Sequence, residues 1–228
     1  MPSENVENYL KRIYTIELSG ERVSTSLLSE KLQISSASVS EMIKRLAEQG
    51  NVNHTPYRGV ELTAQGRRRA VGIIRRHRLW ELFLVKVLKY RWDEVHEEAE
   101  RLEHVTSSLM EHRLDEFLGS PKIDPHGDAI PSADGVLPDG GAVPLSQVGP
   151  SRVVVRRVSD EKTEILQHAS RLGITLNKEI VVKERIRFDD SLRVEIDGKE
   201  TFVSGKMAAN VFVEVVPLKK GKRNGRSA

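Results

Sequence analysis

The stretch Asp93-Glu94-Val95-His96-Glu97-Glu98-Ala99-Glu100-Arg101-Leu102-Glu103-His104 concentrates imidazoles and carboxylates at helical spacing. At about 100° per residue, His96, Glu100, Glu103 and His104 fall within an arc of roughly 100°, so four ligand-type side chains project from one face of one helix. A second pair, His77 and Glu81, stands four residues apart on the preceding helical segment. Two antiparallel helices joined near Lys89-Tyr90-Arg91 would bring both sets together around one or two divalent ions. A lone histidine is more often solvated or satisfied in a core than a ligand, and a Glu-rich face is usually just solvated. Three of the seven histidines, all between Arg76 and Val105 and all accompanied by carboxylates, favour a metal centre. His54, His112, His126 and His168 are expected to play no part in it.

The chain has no cysteine, which excludes disulfides, thiolate metal sites and cysteine nucleophiles. Imidazole and carboxylate ligands without sulfur suit manganese(II) or iron(II) better than copper(I) or a structural zinc centre. Affinity alone still favours nickel, copper and zinc at nitrogen and oxygen sites, so geometry and metal availability must set the choice.

The segments that carry these residues are helical. Apolar residues recur at helical spacing at Val6, Tyr9, Leu10, Ile13 and Tyr14, at Leu27, Leu28 and Leu32, at Val39, Ile43 and Leu46, and through Ala64 to about Leu118. Leu27–Leu32, a break at Gln33-Ile34-Ser35 and a helix from about Ser36 to Gln49 give helix-turn-helix spacing. Val39 and Ile43 would face inward, leaving Ser35, Ser36, Ala37, Ser38, Ser40, Glu41 and Lys44 to approach a major groove; small side chains permit that approach. A Ser-rich helix start is, by itself, more often plain N-capping. Here Val52–Leu62 follows as a hairpin wing with Tyr57-Arg58-Gly59 at its tip, where His54 and Arg58 would touch the DNA backbone, and Arg67, Arg68, Arg69, Arg75, Arg76 and Arg78 come next. That order favours a winged helix-turn-helix.

Residues 119–150 hold six of the nine prolines and six of the sixteen glycines, a composition that reads as a linker. Beyond it the period falls to two, as in Val153-Val154-Val155 and Leu192-Val194-Ile196, with Asp197-Gly198 as a hairpin turn and Glu164–Leu172 as one short helix ending at Gly173. The basic tail 219–228 reads as disordered. The fold class is therefore mainly α with a β-rich C-terminal domain. The divisions are 1–72 for the DNA-binding domain, 73–118 for the helical metal-binding domain, 119–150 for the linker and 151–218 for the β-rich domain. A formal charge of +3 decides little, but its uneven placement leaves basic patches. No window is apolar enough to span a bilayer and the first residues do not form a signal sequence, so a cytoplasmic protein is expected.

Tyr9-Leu10-Lys11-Arg12-Ile13-Tyr14, Leu62-Thr63-Ala64-Gln65-Gly66, Arg76-His77-Arg78-Leu79-Trp80-Glu81, Val95 to His104 and Asp124 to Pro131 together resemble the diphtheria toxin repressor family of iron- and manganese-dependent regulators, especially its manganese-responsive actinobacterial-type members. The resemblance spans nearly the whole chain. It implies a winged-helix domain, a helical dimerisation domain with two metal sites and an SH3-like, FeoA-like barrel. It also implies a homodimer that binds palindromic operator DNA of metal-homeostasis genes when loaded with metal, with no small organic substrate. One site would use His77, Glu81 and His96 with Asp160 or Glu164; the other would use Glu100, Glu103, His104 and Asn8. Iron-responsive relatives carry a cysteine where this chain has Glu100, which favours manganese(II) over iron(II). At position 8 the family carries an acid or a methionine, whereas Asn8 offers one neutral amide oxygen.

Two other readings compete. A helical metalloenzyme fits poorly, because His96-Glu97-Glu98-Ala99 is followed by Glu100 and not by the histidine a metalloprotease helix needs. A metal-independent winged-helix regulator would leave the His and Glu face merely solvated.

Overall fold

The computed structural model describes residues 4–55, 59–137 and 141–216. These build two compact units, one from residues 4–90, 95–124 and 129–137 and the other from residues 91–94, 125–128 and 141–216. The expected disordered tail at 219–228 and the wing-tip pair Tyr57 and Arg58 lie outside the described residues.

The first unit opens with α1 (Glu4–Leu18), α2 (Thr25–Leu32) and α3 (Ser36–Glu48), followed by β1 (Val52–Thr55) paired antiparallel with β2 (Gly59–Leu62). Local chemistry sets these boundaries. Ser24 caps α2 by accepting from Leu27 N–H, and Gln33 ends it in the left-handed region at φ 56°. Ser35 then caps α3 by accepting from Ser38 N–H. Leu10, Ile13, Leu28, Val39, Ile43 and Leu46 meet in one core, each fully buried side chain contributing about 1.5–3 kcal/mol.

Helix α4 (Ala64–Lys86) starts at Thr63, which accepts from Gly66 N–H. Gly66 is required by contact: a Cβ there would stand 1.9 Å from the Asn51 carbonyl oxygen. The first turns of α4 pack Ala70, Val71 and Ile74 into the helix-turn-helix core, the helix ends at Lys86, and α5 (Val95–Val105) and α6 (Ser108–Leu118) follow. Leu79 and Leu82 pack against Leu114 and Ile130, while Leu84 meets Val95 and Ala99. Half of the arginine run that reads as a basic surface turns inward. Arg75 bonds Glu111 and the Pro131 carbonyl and pairs with Asp115, and Arg78 bonds the Ala129 carbonyl. Arg67 and Arg68 stay exposed, with Arg67 paired to Glu17.

The second unit is an antiparallel sheet in the order β3-β8-β4-β5-β6-β7. Its strands are β3 (Val143–Pro144), β4 (Ser151–Val158), β5 (Glu179–Arg185), β6 (Leu192–Ile196), β7 (Lys199–Val203) and β8 (Val211–Val216), with α7 (Thr163–Arg171) and α8 (Gly205–Ala208) between them. Asp197 and Gly198 both have positive φ, 51° and 75°, as the two-residue turn joining β6 to β7 demands. Val153, Val155, Ile180, Val194 and Val213 alternate inward to form its core, joined by Leu145 and Val148. This is the small antiparallel SH3-like domain expected after the helices. No helix among the described residues is long and apolar enough to cross a membrane.

Candidate metal centre

His77 and Glu81 lie one turn apart on α4, in the part of the helix that α5 covers. As the numbering rises on α4 it falls on α5: His77 meets Glu103 at 2.5 Å, and Glu81 meets His96 at 3.5 Å. The two helices are thus antiparallel and their imidazoles and carboxylates interleave. Two groups result. One ligand atom each from His77, Glu81 and His96 lie within 4.8 Å of one another, and so do those of His77, Glu100 and Glu103. His77 joins them, with Nε2 3.0 Å from Glu81 and 3.2 Å from His96, and Nδ1 toward Glu103 and Glu100. His104 places Nε2 3.5 Å from Glu103 Oε1.

Helix α1 closes the cluster from a third side. The Lys11 ammonium stands 2.7 Å from Glu100, 3.0 and 3.1 Å from the two Glu103 oxygens and 3.2 Å from His77 Nδ1. Glu7 receives a 2.6 Å contact from His104 Nδ1 and faces Arg76 at 3.6 Å. Asn8, the residue expected to reach this group, is half-buried, and its Oδ1 has no hydrogen-bond partner among the described residues. His104 Nε2 is likewise buried without one. Sequence reading did not single out Lys11 or Glu7 as site residues. Glu7 and Lys11 stand four apart on α1 and so share a face of that helix, but the groups they meet are on distant elements.

Electrostatics explain why the cluster can exist. Glu81 and Glu103 are fully buried, and a carboxylate removed from water costs several kcal/mol unless a charge or hydrogen bonds meet it. Burial works against a charged His77, and so does Lys11. The Glu81 charge and the hydrogen bonds to Glu103 and Glu81 outweigh both and lift its pKa to about 9. Burial also opposes ionisation of Glu100, but the charge and hydrogen bond of Lys11 prevail and hold its carboxyl below the usual range. The donor set of imidazole and carboxylate oxygens, with two buried donor atoms still unmatched, fits a divalent cation of borderline to hard character.

Asp160 and Glu164 belong to the second unit, Asp160 half-buried after β4 and Glu164 exposed in the first turn of α7. His126 is buried there too, bonded through Nε2 to the Trp92 carbonyl at 2.7 Å. On α3 and its cap, Ser35, Ser36, Ala37, Ser38, Ser40, Glu41 and Lys44 are all exposed while Val39 and Ile43 are buried. Part of the hydroxyl set has local work, since Ser35 caps the helix and Ser40 bonds the Ser36 carbonyl.

Residues 1–60 match the family described as iron dependent repressor, N-terminal DNA binding domain; residues 63–132 match its metal binding and dimerisation domain, and residues 143–215 match the FeoA domain. The iron-dependent repressor IdeR of Mycobacterium leprae is 34% identical over 193 residues, spanning 79% of this chain and 84% of that protein. The diphtheria toxin repressor of Corynebacterium glutamicum is 30% identical over 196 residues, spanning 81% and 86%. The chain belongs to the diphtheria toxin repressor family. Among solved structures, a manganese-dependent transcriptional repressor in complex with manganese superposes with a TM-score of 0.86 at 40% identity, covering 92% of this chain and all of that one. The manganese regulator SloR gives 0.79 at 33% identity, covering 92% and 98%. Diphtheria toxin repressor family members are metal-dependent, DNA-binding transcriptional repressors, so the enzyme alternative falls away.

Proposed function

We propose that this repressor acts in the cytoplasm as a homodimer that binds palindromic operator DNA of metal-homeostasis genes when activated by manganese(II), with iron(II) the alternative. The observation that carries the reading is the convergence of His77, Glu81, His96, Glu100, Glu103 and His104 between α4 and α5, with the buried Asn8 Oδ1 and His104 Nε2 lacking hydrogen-bond partners beside them. Two ions per subunit fit this donor set. One would be held by His77, Glu81 and His96 with Asp160 or Glu164, the other by Glu100, Glu103, His104 and Asn8. A bound ion supplies positive charge that balances the crowded carboxylates. An oxygen ligand at Glu100, and no thiolate anywhere in the chain, favour manganese(II) over softer ions.

The protein's own part is to join reading head and ligand cluster. Asn8, Glu7 and Lys11 sit on α1, whose Leu10 and Ile13 pack in the same core as Val39, Ile43 and Leu46 of α3. Any change in how α1 meets α5 is therefore passed to the exposed face of α3. Such coupling is reciprocal, so operator DNA should tighten metal binding. We assign to DNA contact the exposed residues Ser35, Ser36, Ala37, Ser38, Ser40, Glu41 and Lys44, together with Arg58.

The test is operator binding by the full chain titrated in parallel with manganese(II), iron(II) and zinc(II), and again after chelation. Binding that rises with manganese(II), vanishes with the chelator and is lost in Glu103→Ala is expected. Specific binding that ignores the chelator would instead make the chain a metal-independent regulator.

A further inference from the structure

We propose that Lys11 is a tethered cation that occupies the ligand cluster of the metal-free protein and must be displaced before a divalent ion can enter, so that this one residue sets the metal concentration to which the repressor responds. The inference rests on the metal-binding reading above.

The geometry is that of a coordinated cation. The ammonium makes four contacts of 2.7–3.2 Å, to Glu100, to both oxygens of Glu103 and to His77 Nδ1. Those three residues form a group whose ligand atoms lie within 4.8 Å of one another. An ammonium offers three protons and no acceptor; here Glu100 and Glu103 accept them, while His77 Nδ1, itself 2.5 Å from Glu103, is a close neighbour and not an acceptor. A divalent ion and Nζ cannot share that volume, because each needs the same lone pairs at short range. The Lys11 side chain is only 19% exposed, so it is committed to the cluster and is not a surface lysine resting nearby.

Two consequences follow from charge. With Lys11 in place the buried Glu103 is compensated, and the metal-free fold keeps α1 fastened to α5. The same fastening lowers apparent metal affinity by the fraction of time the cluster is free of the ammonium; occupancy of nine-tenths weakens it about tenfold. Withdrawal of Lys11 also removes its ties from α1 to α5, so α1 is re-anchored only through its neighbours Glu7 and Asn8. The exchange of one cation for another thus happens on the helix that leads to the reading head.

The experiment compares manganese(II) binding by calorimetry to metal-stripped, full-length wild type, Lys11→Met and Lys11→Arg, with metal-free melting temperatures of each. Lys11→Met should bind manganese(II) about tenfold more tightly or better while melting lower without metal; Lys11→Arg, which keeps the charge, should bind no more tightly than wild type. Unchanged or weaker binding in Lys11→Met, or equal tightening in Lys11→Arg, overturns the inference while leaving the metal-dependent function standing. A wild type that binds no manganese(II) sinks both. Should Lys11→Met fail to fold, crystals of the wild type loaded with cadmium(II) decide: Nζ withdrawn from Glu100 and Glu103 is expected, and Nζ still within hydrogen-bond distance of both overturns the inference.

Discussion

His77 shows how much one side chain can be asked to do when it is buried between helices. Its two ring nitrogens face different carboxylates, Glu81 through Nε2 and Glu103 through Nδ1, while His96 and Glu100 of α5 and Lys11 of α1 complete its surroundings. The imidazolium form is what this environment favours, since its pKa rises from 6.5 to about 9. A group whose folded pKa exceeds its unfolded value contributes stability that is fully present below about 6.5 and is lost as pH climbs through about 9. The metal-free protein should therefore lose stability across that window, by an amount on the order of a few kcal/mol. Thermal denaturation in the presence of a chelator at pH 6.5, 7.5 and 9 measures it. The decline should be steep in wild type and shallower in His77→Gln; parallel slopes would show that His77 is not the titrating group.

At the scale of elements, the junction of wing and long helix is fixed by contact distance. Gly66 admits the Asn51 carbonyl into the first turn of α4, while Thr63 caps that turn and bonds the Gly50 carbonyl at 2.7 Å. Gly66→Ala should destabilise the protein by about 2 kcal/mol or more, because the obstacle is backbone and cannot swing aside. Gly72→Ala in the same helix is the control: its Cβ would meet only Arg76 Nη1 at 3.9 Å, and replacing a helical glycine gains about 0.5–1 kcal/mol. Urea denaturation of the two variants should move in opposite directions. The same elements show what local pattern can reveal. Ser35, Gly173 and Asp197-Gly198 mark helix and turn boundaries because capping and positive φ are decided by a few adjacent residues. The face that gathers His96, Glu100, Glu103 and His104 was legible for the same reason, being a matter of helical period. Lys11 was not, because its partners lie 66 to 92 residues away and Coulomb attraction leaves no trace in local spacing. Arg75 looks like solvated charge in sequence for the same cause: Glu111 and Asp115, which draw it inward, sit on another helix. Ile130, Leu145 and Val148 are buried although their stretch is rich in proline and glycine, since burial there depends on elements that the stretch itself does not contain.

At the scale of the whole molecule, the end of α5 and the length of α6 leave large apolar side chains in water. Val105 is 77% exposed, Leu109 68%, Phe117 67% and Met110 49%. Met110 and Phe117 are seven residues apart and so share a face of α6, and the match to a metal binding and dimerisation domain covers residues 63–132. A second copy of the chain is the partner this face suits, and two reading heads are what a palindromic operator requires. In a two-fold interface each substitution counts twice, so Phe117→Glu removes two apolar contacts and buries two new charges. With about 1.5–3 kcal/mol per lost side chain, the dimer dissociation constant should rise roughly 100-fold or more. Sedimentation equilibrium measures that shift directly. Manganese(II) binding should persist in the monomer, because the residues proposed to hold it, His77, Glu81, His96, Glu100, Glu103 and His104, come from one chain, whereas operator affinity should collapse when the second head is no longer held at a fixed spacing. A Phe117→Glu protein that sediments as wild type would place the subunit contact on another surface.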